Sequence, residues 1–310
     1  MNIAPINSNH KLKGFNRCAL DGCVPSSLKI TTVCVPSSLV REAEDKREAT
    51  RKLGYVARAA TVFRADRLVV FPDREGEERW GGEFVTTVLE YAVTPPYLRQ
   101  EVWDVRDELE YVGVLPPLRV SPQTGSESDG SGSLTQGIVT EVGPEGRVRV
   151  NCGMQHPISL FTPSGMEAEE GERVTVRISS REPVRARIVD AAPPGYVVER
   201  MDLAEALTRD DAGVRIATSR YGAELSVSRL SSLVGRLDDG MTVVFGSPGR
   251  GLPDILDVDV EDLPASTGGA SVGPDSGFDL WLNTIPRQGS EVVRTEEAMF
   301  ASLACLTLTE

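Results

Sequence analysis

The spacing of apolar and polar residues predicts alternating strands and helices in the first part of the chain. Short runs of apolar and β-branched residues predict strands at 30–35 and 67–71. Apolar positions with helical spacing predict helices at 39–64 and 84–92, and Pro95 ends the second helix. Strands that alternate with helices pair in parallel, so the pattern predicts an α/β fold with a parallel sheet covered on both faces.

The pattern changes after residues 121–133, a polar segment rich in Gly and Ser that is typical of a flexible linker. Short strands with alternating apolar residues follow at 136–142, 147–153, 172–178 and 184–190. The stretch 134–190 is too short for a sandwich. It suits a small five-stranded all-β barrel such as an OB-fold.

These boundaries divide the chain into consecutive parts. They are a disordered extension at 1–28, a first α/β part at 29–120, the linker at 121–133, the all-β insert at 134–190 and a second α/β part at 191–310. The extension is predicted from its polar composition and from the hexapeptide CVPSSL. This hexapeptide occurs at 23–28 and again at 34–39, and only the second copy leads into a helical pattern.

Two glycine-bearing loops in the second α/β part each follow a buried strand directly. They lie in TVVFGSPGRGL at 242–252 and LWLNTIPRQGS at 280–290. A long loop at 255–277 precedes the second of these stretches, and a final helix follows it, with Thr295 as the predicted N-cap. Since the carboxyl ends of parallel strands meet at one edge of a sheet, the two loops predict a ligand crevice there.

Charge and hydropathy indicate the kind of solvent in which the protein works. The net charge is −13, and Lys46 and Lys52 are the only lysines after position 29. An acidic, lysine-poor surface is typical of a halophile. Screening then shortens to about 3 Å at 1 M salt, so the negative charge does not exclude a nucleic-acid partner. No apolar run is long enough to cross a membrane and no signal peptide is evident, so we expect a soluble, cytoplasmic protein.

The sequence lacks the residues that several common metal sites and catalytic sites require. The five cysteines form no CxxC pair and the histidines are His10 and His156, so neither a zinc site nor a Ser-His-Asp triad is expected. Cys152 and Cys305 are interpreted as small buried apolar residues. The glycine loops match neither the dinucleotide fingerprint nor a Walker loop, which argues against a dinucleotide-dependent oxidoreductase.

Seven stretches, taken in order, resemble RNA methyltransferases of the SPOUT class found in archaea and eukaryotes. They are VARAATVF at 56–63, PPYLRQEVW at 95–103, VGVLPPL at 112–118, VNCGM at 150–154, ATSRYG at 217–222, VVFGSPGRGL at 243–252 and NTIPRQGSEVVRTEEA at 283–298. The resemblance implies an α/β-knot fold with a deep trefoil knot and an inserted OB-like barrel. It also implies methylation of uridine N3 in ribosomal RNA, S-adenosylmethionine as cofactor, no metal, and a homodimer with the final helix in its interface.

The resemblance also implies a cofactor site between the two glycine loops. Backbone groups would contact the adenine, Leu252 and Ile285 would enclose it, and Gly289 would supply backbone angles that the turn needs. One departure from the family pattern is Arg287, where a small residue is commoner. The implied cofactor residues are Thr218, Gly246, Pro248, Gly251, Leu252, Asn283, Ile285, Gln288, Gly289 and Ser290.

Uridine N3 carries a proton at neutral pH, so a cation that holds the neighbouring carbonyl oxygens would favour the reactive anion. Arg58 in the first motif and Arg294 before the last helix are the candidates, and a salt bridge to Glu296 or Glu297 is the alternative for each. The candidate RNA contacts of the barrel are Arg177, Arg185 and Arg187, unless these arginines are merely solvated. The alternative function is a non-catalytic ribosome-assembly factor that binds RNA through the barrel.

Overall fold

The computed structural model describes residues 29–120, 132–163, 165–263 and 277–308. The predicted extension 1–28 and linker residues 121–131 lie outside these ranges. The strands are β1 Thr31–Pro36, β2 Arg67–Phe71, β3 Ser133–Val142, β4 Arg147–Asn151, β5 Ile158–Phe161, β6 Arg173–Arg181, β7 Val184–Val189, β8 Val197–Arg200, β9 Val214–Glu224, β10 Met241–Val244 and β11 Leu280–Asn283. The helices are α1 Lys46–Val62, α2 Gly82–Val93, α3 Arg99–Val102, α4 Leu203–Leu207, α5 Val227–Leu237, α6 Leu252–Leu256 and α7 Thr295–Leu306. None of these helices has the length and apolar character that crossing a bilayer requires.

Six strands form a parallel sheet in the order β11, β9, β10, β1, β2 and β8. Strand β1 lies inside this sheet and is buried at all six positions. Val33 and Val35 belong to a core that includes residues of α1, α2 and α7, whereas Cys34 packs with residues of α4 and α6. Helices therefore cover both faces, and the predicted parallel sheet is confirmed.

The other five strands form an antiparallel sheet in the order β5, β4, β3, β6 and β7. The end strands β5 and β7 approach each other, so the sheet nearly closes into a barrel. Val150, Val176 and Ile188 are buried in a core that belongs to this sheet alone. The pattern of apolar residues correctly predicts the other four strands, but it misses β5, whose four residues are too few to show a period.

Polar contacts join the barrel to the turns that follow α2. The Tyr97 hydroxyl donates a hydrogen bond of 2.7 Å to the carbonyl oxygen of Gln136 in β3. The Asn151 side chain donates one of 2.6 Å to the Glu101 carboxylate in α3. Gly153 lies against the Tyr97 ring, where a Cβ would come within 2.9 Å of a ring carbon. The barrel is therefore in direct contact with the α/β part of the chain.

Helix α1 begins later than the sequence predicts. The predicted start was residue 39, but the helix begins at Lys46, after the N-cap Asp45. The Asp45 carboxylate accepts a hydrogen bond of 2.7 Å from the Glu48 N–H, which satisfies one of the free donors of the first turn. Ser37 and Ser38 instead bind Asp73, which follows β2. Contacts with a distant residue thus hold this segment out of the helix.

One face of α1 is covered closely by the segment 115–118. A Cβ at Gly54 would lie 2.5 Å from Cδ of Pro116, so only glycine allows this approach without a shift of the proline ring. One turn later, the Arg58 guanidinium donates hydrogen bonds to the carbonyl oxygens of Pro117, at 3.3 Å, and Leu118, at 2.9 Å. Gly54 and Arg58 together hold the segment on the helix.

We expect Gly54→Ala to lower the free energy of unfolding by about 1–3 kcal/mol, because overpacking a tight contact costs this much. The matched control is Gly235→Ala in α5, where a Cβ meets no atom within 4 Å. That exchange should raise the free energy of unfolding by about 0.5–1 kcal/mol through helix propensity. Thermal unfolding of the three proteins checks both signs. Equal stabilisation by the two exchanges would contradict the close packing at Gly54.

Candidate active site

A cleft of ≈ 290 Å³ lies beyond the carboxyl ends of β9, β10 and β11. Its walls come from the end of β9, the loop after β10, the turn after β11 and the first turns of α7. The volume is close to the lower bound of about 300 Å³ for small-molecule sites. The edge at which the strands end is also where ligands bind in open α/β sheets. Both glycine loops identified in the sequence thus meet at one cleft.

The predicted cofactor residues divide between the cleft wall and its surroundings. Thr218, Gly246, Gly251, Asn283, Ile285 and Gln288 line the cleft. Pro248, Leu252, Gly289 and Ser290 are not among the lining residues. Leu252 is completely buried in the core beneath the loop, so the expectation that its side chain would enclose a ligand together with Ile285 is wrong.

The loop after β10 is compact because its main chain passes close to itself. A Cβ at Gly246 would lie 3.0 Å from Cα of Gly251 and from the amide nitrogen of Leu252. Ser247 and Arg250 exchange two backbone hydrogen bonds of 3.0 and 3.1 Å, with Gly249 between them at a φ of 70°. The glycines Gly246, Gly249 and Gly251 leave main-chain atoms of this loop uncovered at the cleft wall.

A buried ion pair ties this loop to the neighbouring strands. Nε of Arg250 lies 3.2 Å from a carboxylate oxygen of Asp73, whose side chain is only 3% exposed. The Ser38 hydroxyl donates a hydrogen bond of 2.5 Å to the same carboxylate, and Arg250 also contacts Glu75 at 3.3 Å. Because a buried charge is stable only when it is paired and hydrogen-bonded, Arg250 is held in place by Asp73.

The turn after β11 is built by side-chain to backbone hydrogen bonds. Asn283 accepts from the Ile285 N–H at 3.0 Å and donates to the carbonyl oxygen of Arg220 at 3.0 Å. Arg287 has a φ of 61° and supplies the left-handed conformation of the turn. Gly289 is outside that conformation, and a Cβ there meets no atom within 4 Å. The expectation that the turn requires glycine at 289 is therefore wrong.

Helix α7 begins one residue earlier than its predicted N-cap implies. Arg294 is the N-cap residue, and its N–H donates a hydrogen bond of 2.9 Å to the Glu297 carboxylate. Thr295, the predicted cap, is the first helical residue, and its hydroxyl donates a hydrogen bond of 2.8 Å to the carbonyl oxygen of Gly246. The hydroxyl thus joins the last helix to the loop after β10 instead of capping the helix.

The residues 30–306 match a protein family described as "Putative RNA methyltransferase". The chain belongs to this RNA methyltransferase family. An uncharacterized protein of Haloarcula marismortui is 66% identical over 283 residues, which is 90% of this chain and 99% of that protein. One of Halobacterium salinarum is 67% identical over 280 residues, with the same coverage. The human 28S rRNA (uridine-N(3))-methyltransferase is 30% identical over 309 residues, covering 89% of this chain and 77% of that enzyme.

The two arginines proposed for catalysis do not line the cleft of the methyltransferase. The Arg58 guanidinium binds backbone carbonyls of the segment 115–118. Nε of Arg294 lies 3.5 Å from Glu42, which also pairs with the buried Lys52 at 2.8 Å. Arg294 therefore forms a salt bridge, but with Glu42 rather than with the expected Glu296 or Glu297. In this conformation both arginines hold segments together.

Two other arginines, together with a tyrosine, line the cleft of the methyltransferase. They are Arg220, Tyr221 and Arg250. The sequence contained a signal for them, because ATSRYG and VVFGSPGRGL are two of the stretches that resemble the family. The predicted cofactor site includes Thr218 and the glycine loop from these stretches but omits Arg220, Tyr221 and Arg250.

Buried titratable groups near the cleft have shifted pKa values. Burial raises the pKa of Glu296, in the first turn of α7, although Lys52 opposes the shift. Burial also raises the pKa of the Cys34 thiol in β1 to about 12, so this thiol is an unreactive core group. The described residues contain no group of three or more His, Cys, Asp or Glu side chains that could hold a metal ion.

The three barrel arginines lie on β6 and β7 and do not line the cleft. Arg185 and Arg187 are exposed. Arg177 is half-buried and is paired in register with Arg187. Because the neighbouring Val176 and Ile188 fill the barrel core, the arginines lie on its outer face.

Proposed function

We propose that this RNA methyltransferase transfers a methyl group from S-adenosylmethionine to N3 of a uridine in ribosomal RNA. The observation that carries the proposal is the cleft in which the two glycine loops meet at the ends of β9, β10 and β11. The human relative is a uridine-N(3)-methyltransferase of 28S rRNA, which supports the choice of uridine N3. The cleft argues against the non-catalytic assembly factor.

The residues of the cleft fit a nucleoside cofactor. The apolar side chains of Ile285 and Val292 line it, together with main-chain groups of Gly246 and Gly251. Apolar side chains suit the faces of an adenine ring, and main-chain N–H and C=O groups suit its polar edge. S-adenosylmethionine would supply an electrophilic methyl group bound to a sulfonium sulfur. This chain would bind the cofactor and exclude water from one side of it.

We further propose that the α/β part has the SPOUT fold with a deep trefoil knot, and that the barrel at 134–190 is an inserted OB-fold. The path of the last segment supports the knot. After the turn that follows β11, Thr295 binds the loop after β10, and α7 then packs against α1 near the start of the fold. The near closure of the five-stranded sheet supports the OB-fold.

The acidic composition and the haloarchaeal relatives support adaptation of this protein to molar salt. Its binding and assembly are therefore best measured in molar potassium chloride. Carboxylates that are hydrated in concentrated salt would repel one another in dilute buffer.

We propose that the protein is a homodimer with α7 in the interface. The small side chains of Ala298, Ala301 and Cys305 are only partly buried and can approach a second copy closely, whereas Ser302 is fully buried and bonds Thr284. Light scattering in molar potassium chloride, at micromolar protein, should give twice the mass of one chain. A single-chain mass under these conditions would contradict the proposal.

Gly246 provides the sharpest test of cofactor binding. We expect Gly246→Val to abolish the binding of S-adenosylmethionine measured by calorimetry, because its Cβ would clash with the backbone at Gly251 and Leu252. The matched control is Gly289→Val in the facing turn, which should bind the cofactor within about threefold of the wild-type affinity. Normal binding by folded Gly246→Val would overturn the site. Absence of binding by the wild-type protein would instead support the assembly factor.

RNA binding by the barrel is tested with Arg185 and Arg187, which are exposed side by side on β7. Replacing both with alanine should weaken RNA binding and reduce the slope of log K against log salt by about two units, since each lost phosphate contact removes about one. The matched control replaces Arg147 and Arg149, two exposed arginines of β4, at the other side of the barrel. If only the control exchange lowers the slope, RNA binds β4 and β5 instead.

A further inference from the structure

Strand β9 leaves the sheet at the edge of the cleft and then returns to it. Ala217 pairs with Trp281 of β11, and the next paired residue of β9 is Ala223, opposite Leu282. The intervening residues 218–222 therefore form a bulge, and four of them, from Thr218 to Tyr221, line the cleft. Bulges of this kind redirect side chains and are common beside active sites.

The backbone of this bulge is fixed from behind. Gly222 crosses β11 so closely that a Cβ would lie 2.8 Å from backbone atoms of Trp281 and Leu282. The Asn283 side chain donates a hydrogen bond of 3.0 Å to the carbonyl oxygen of Arg220. The bulge thus has a defined conformation, while the side chains of Arg220 and Tyr221 remain exposed at the cleft.

Arg220 and Tyr221 are packed against each other. The Arg220 guanidinium carbon lies 4.8 Å from the centre of the Tyr221 ring, and one of its nitrogens donates a hydrogen bond of 2.8 Å to the Tyr221 hydroxyl. Tyr221 is 45% exposed, so a large part of its ring is open to a partner. Exposed aromatic rings are the groups on which proteins stack unpaired bases of RNA.

The two arginines of the cleft differ in their charge partners. Arg250 is neutralised by Asp73 and Glu75. Arg220 has no salt bridge to any carboxylate in the described residues, although it lies in a protein with a net charge of −13. An arginine without a carboxylate partner at a cleft wall is available to stabilise a negative charge on a ligand.

We propose that Arg220 is the catalytic cation of this enzyme and that Tyr221 stacks on the target base. This inference rests on the proposed uridine N3 methylation. The N3 proton passes to solvent, and the Arg220 guanidinium binds a carbonyl oxygen next to N3, over which the negative charge of the ring spreads. The N3 electron pair then forms a bond to the methyl carbon of S-adenosylmethionine. The bond from that carbon to sulfur breaks, its electron pair goes to sulfur, and a neutral thioether leaves.

The proposal assigns separate effects to the two side chains. Removing the Arg220 cation raises the pKa of bound uridine, so it lowers the rate of methyl transfer without changing cofactor affinity. Removing the Tyr221 ring weakens RNA binding and raises KM more than it lowers kcat. A merely structural role in the bulge would change cofactor binding for both variants and would give a loss of rate that is independent of pH.

The test measures methyl transfer from labelled S-adenosylmethionine to unmodified large-subunit ribosomal RNA transcribed in vitro. Arg220→Gln should lower kcat by about 10²–10³-fold at neutral pH, as the loss of one charge-stabilising donor typically does. Its rate should continue to rise with pH after the wild-type rate levels off. Arg220→Lys should recover part of the rate. The matched control is Arg229→Gln in α5, which should keep the wild-type rate and profile.

A second measurement is independent of any effect of pH on folding. RNA that contains 5-fluorouridine has a more acidic N3, so the deficit of Arg220→Gln should shrink on this RNA. Tyr221→Leu should raise KM, whereas Tyr221→Phe should keep it within about threefold. A deficit of Arg220→Gln that is equal at every pH and on both RNAs would overturn the catalytic role. If the wild-type protein binds the cofactor but methylates no uridine N3, the proposed function itself has failed.

Discussion

The hydrogen bond between the Thr295 hydroxyl and the Gly246 carbonyl oxygen joins the two segments that enclose the cleft. Thr295 is almost completely buried, so this bond is protected from water and costly to lose. It brings the start of α7 against the loop after β10, although the two residues are 49 positions apart. The contact adds to the Arg250–Asp73 ion pair, which holds the loop after β10, and to the Asn283 hydrogen bonds, which build the turn after β11.

The arginines around this contact have different tasks because their surroundings differ. Arg58 binds backbone carbonyl oxygens, and Arg250 binds carboxylates. Both arginines hold neighbouring segments in place. Arg294 is paired with Glu42 at the start of the last helix. Arg220 lies on a bulge that lifts it out of the sheet ladder, where no carboxylate of the described residues neutralises it. The sequence presents them as equivalent, and only their neighbours distinguish them.

Much of the fold could be predicted from the sequence because periodicity is a local property. Apolar runs such as RLVVF predict buried strands, and the alternation of apolar and polar residues within 136–190 predicts an antiparallel sheet. The start of α1 could not be predicted in this way. Ser37 and Ser38 bind Asp73, which lies 35 residues or more along the chain, and a local pattern contains no trace of that contact.

For the site, the sequence by itself determined which loops carry it and which family the chain resembles. In the loop after β10, Gly246 is needed because main chain packs on main chain there, and Gly249 has a positive φ that favours glycine. Only the tertiary structure decided that Leu252 is core, that Gly289 is open, and that Arg220 and Tyr221 line the cleft. The physical reason is that exposure and charge pairing are set by residues distant in sequence, which meet only when the sheet and α7 have assembled.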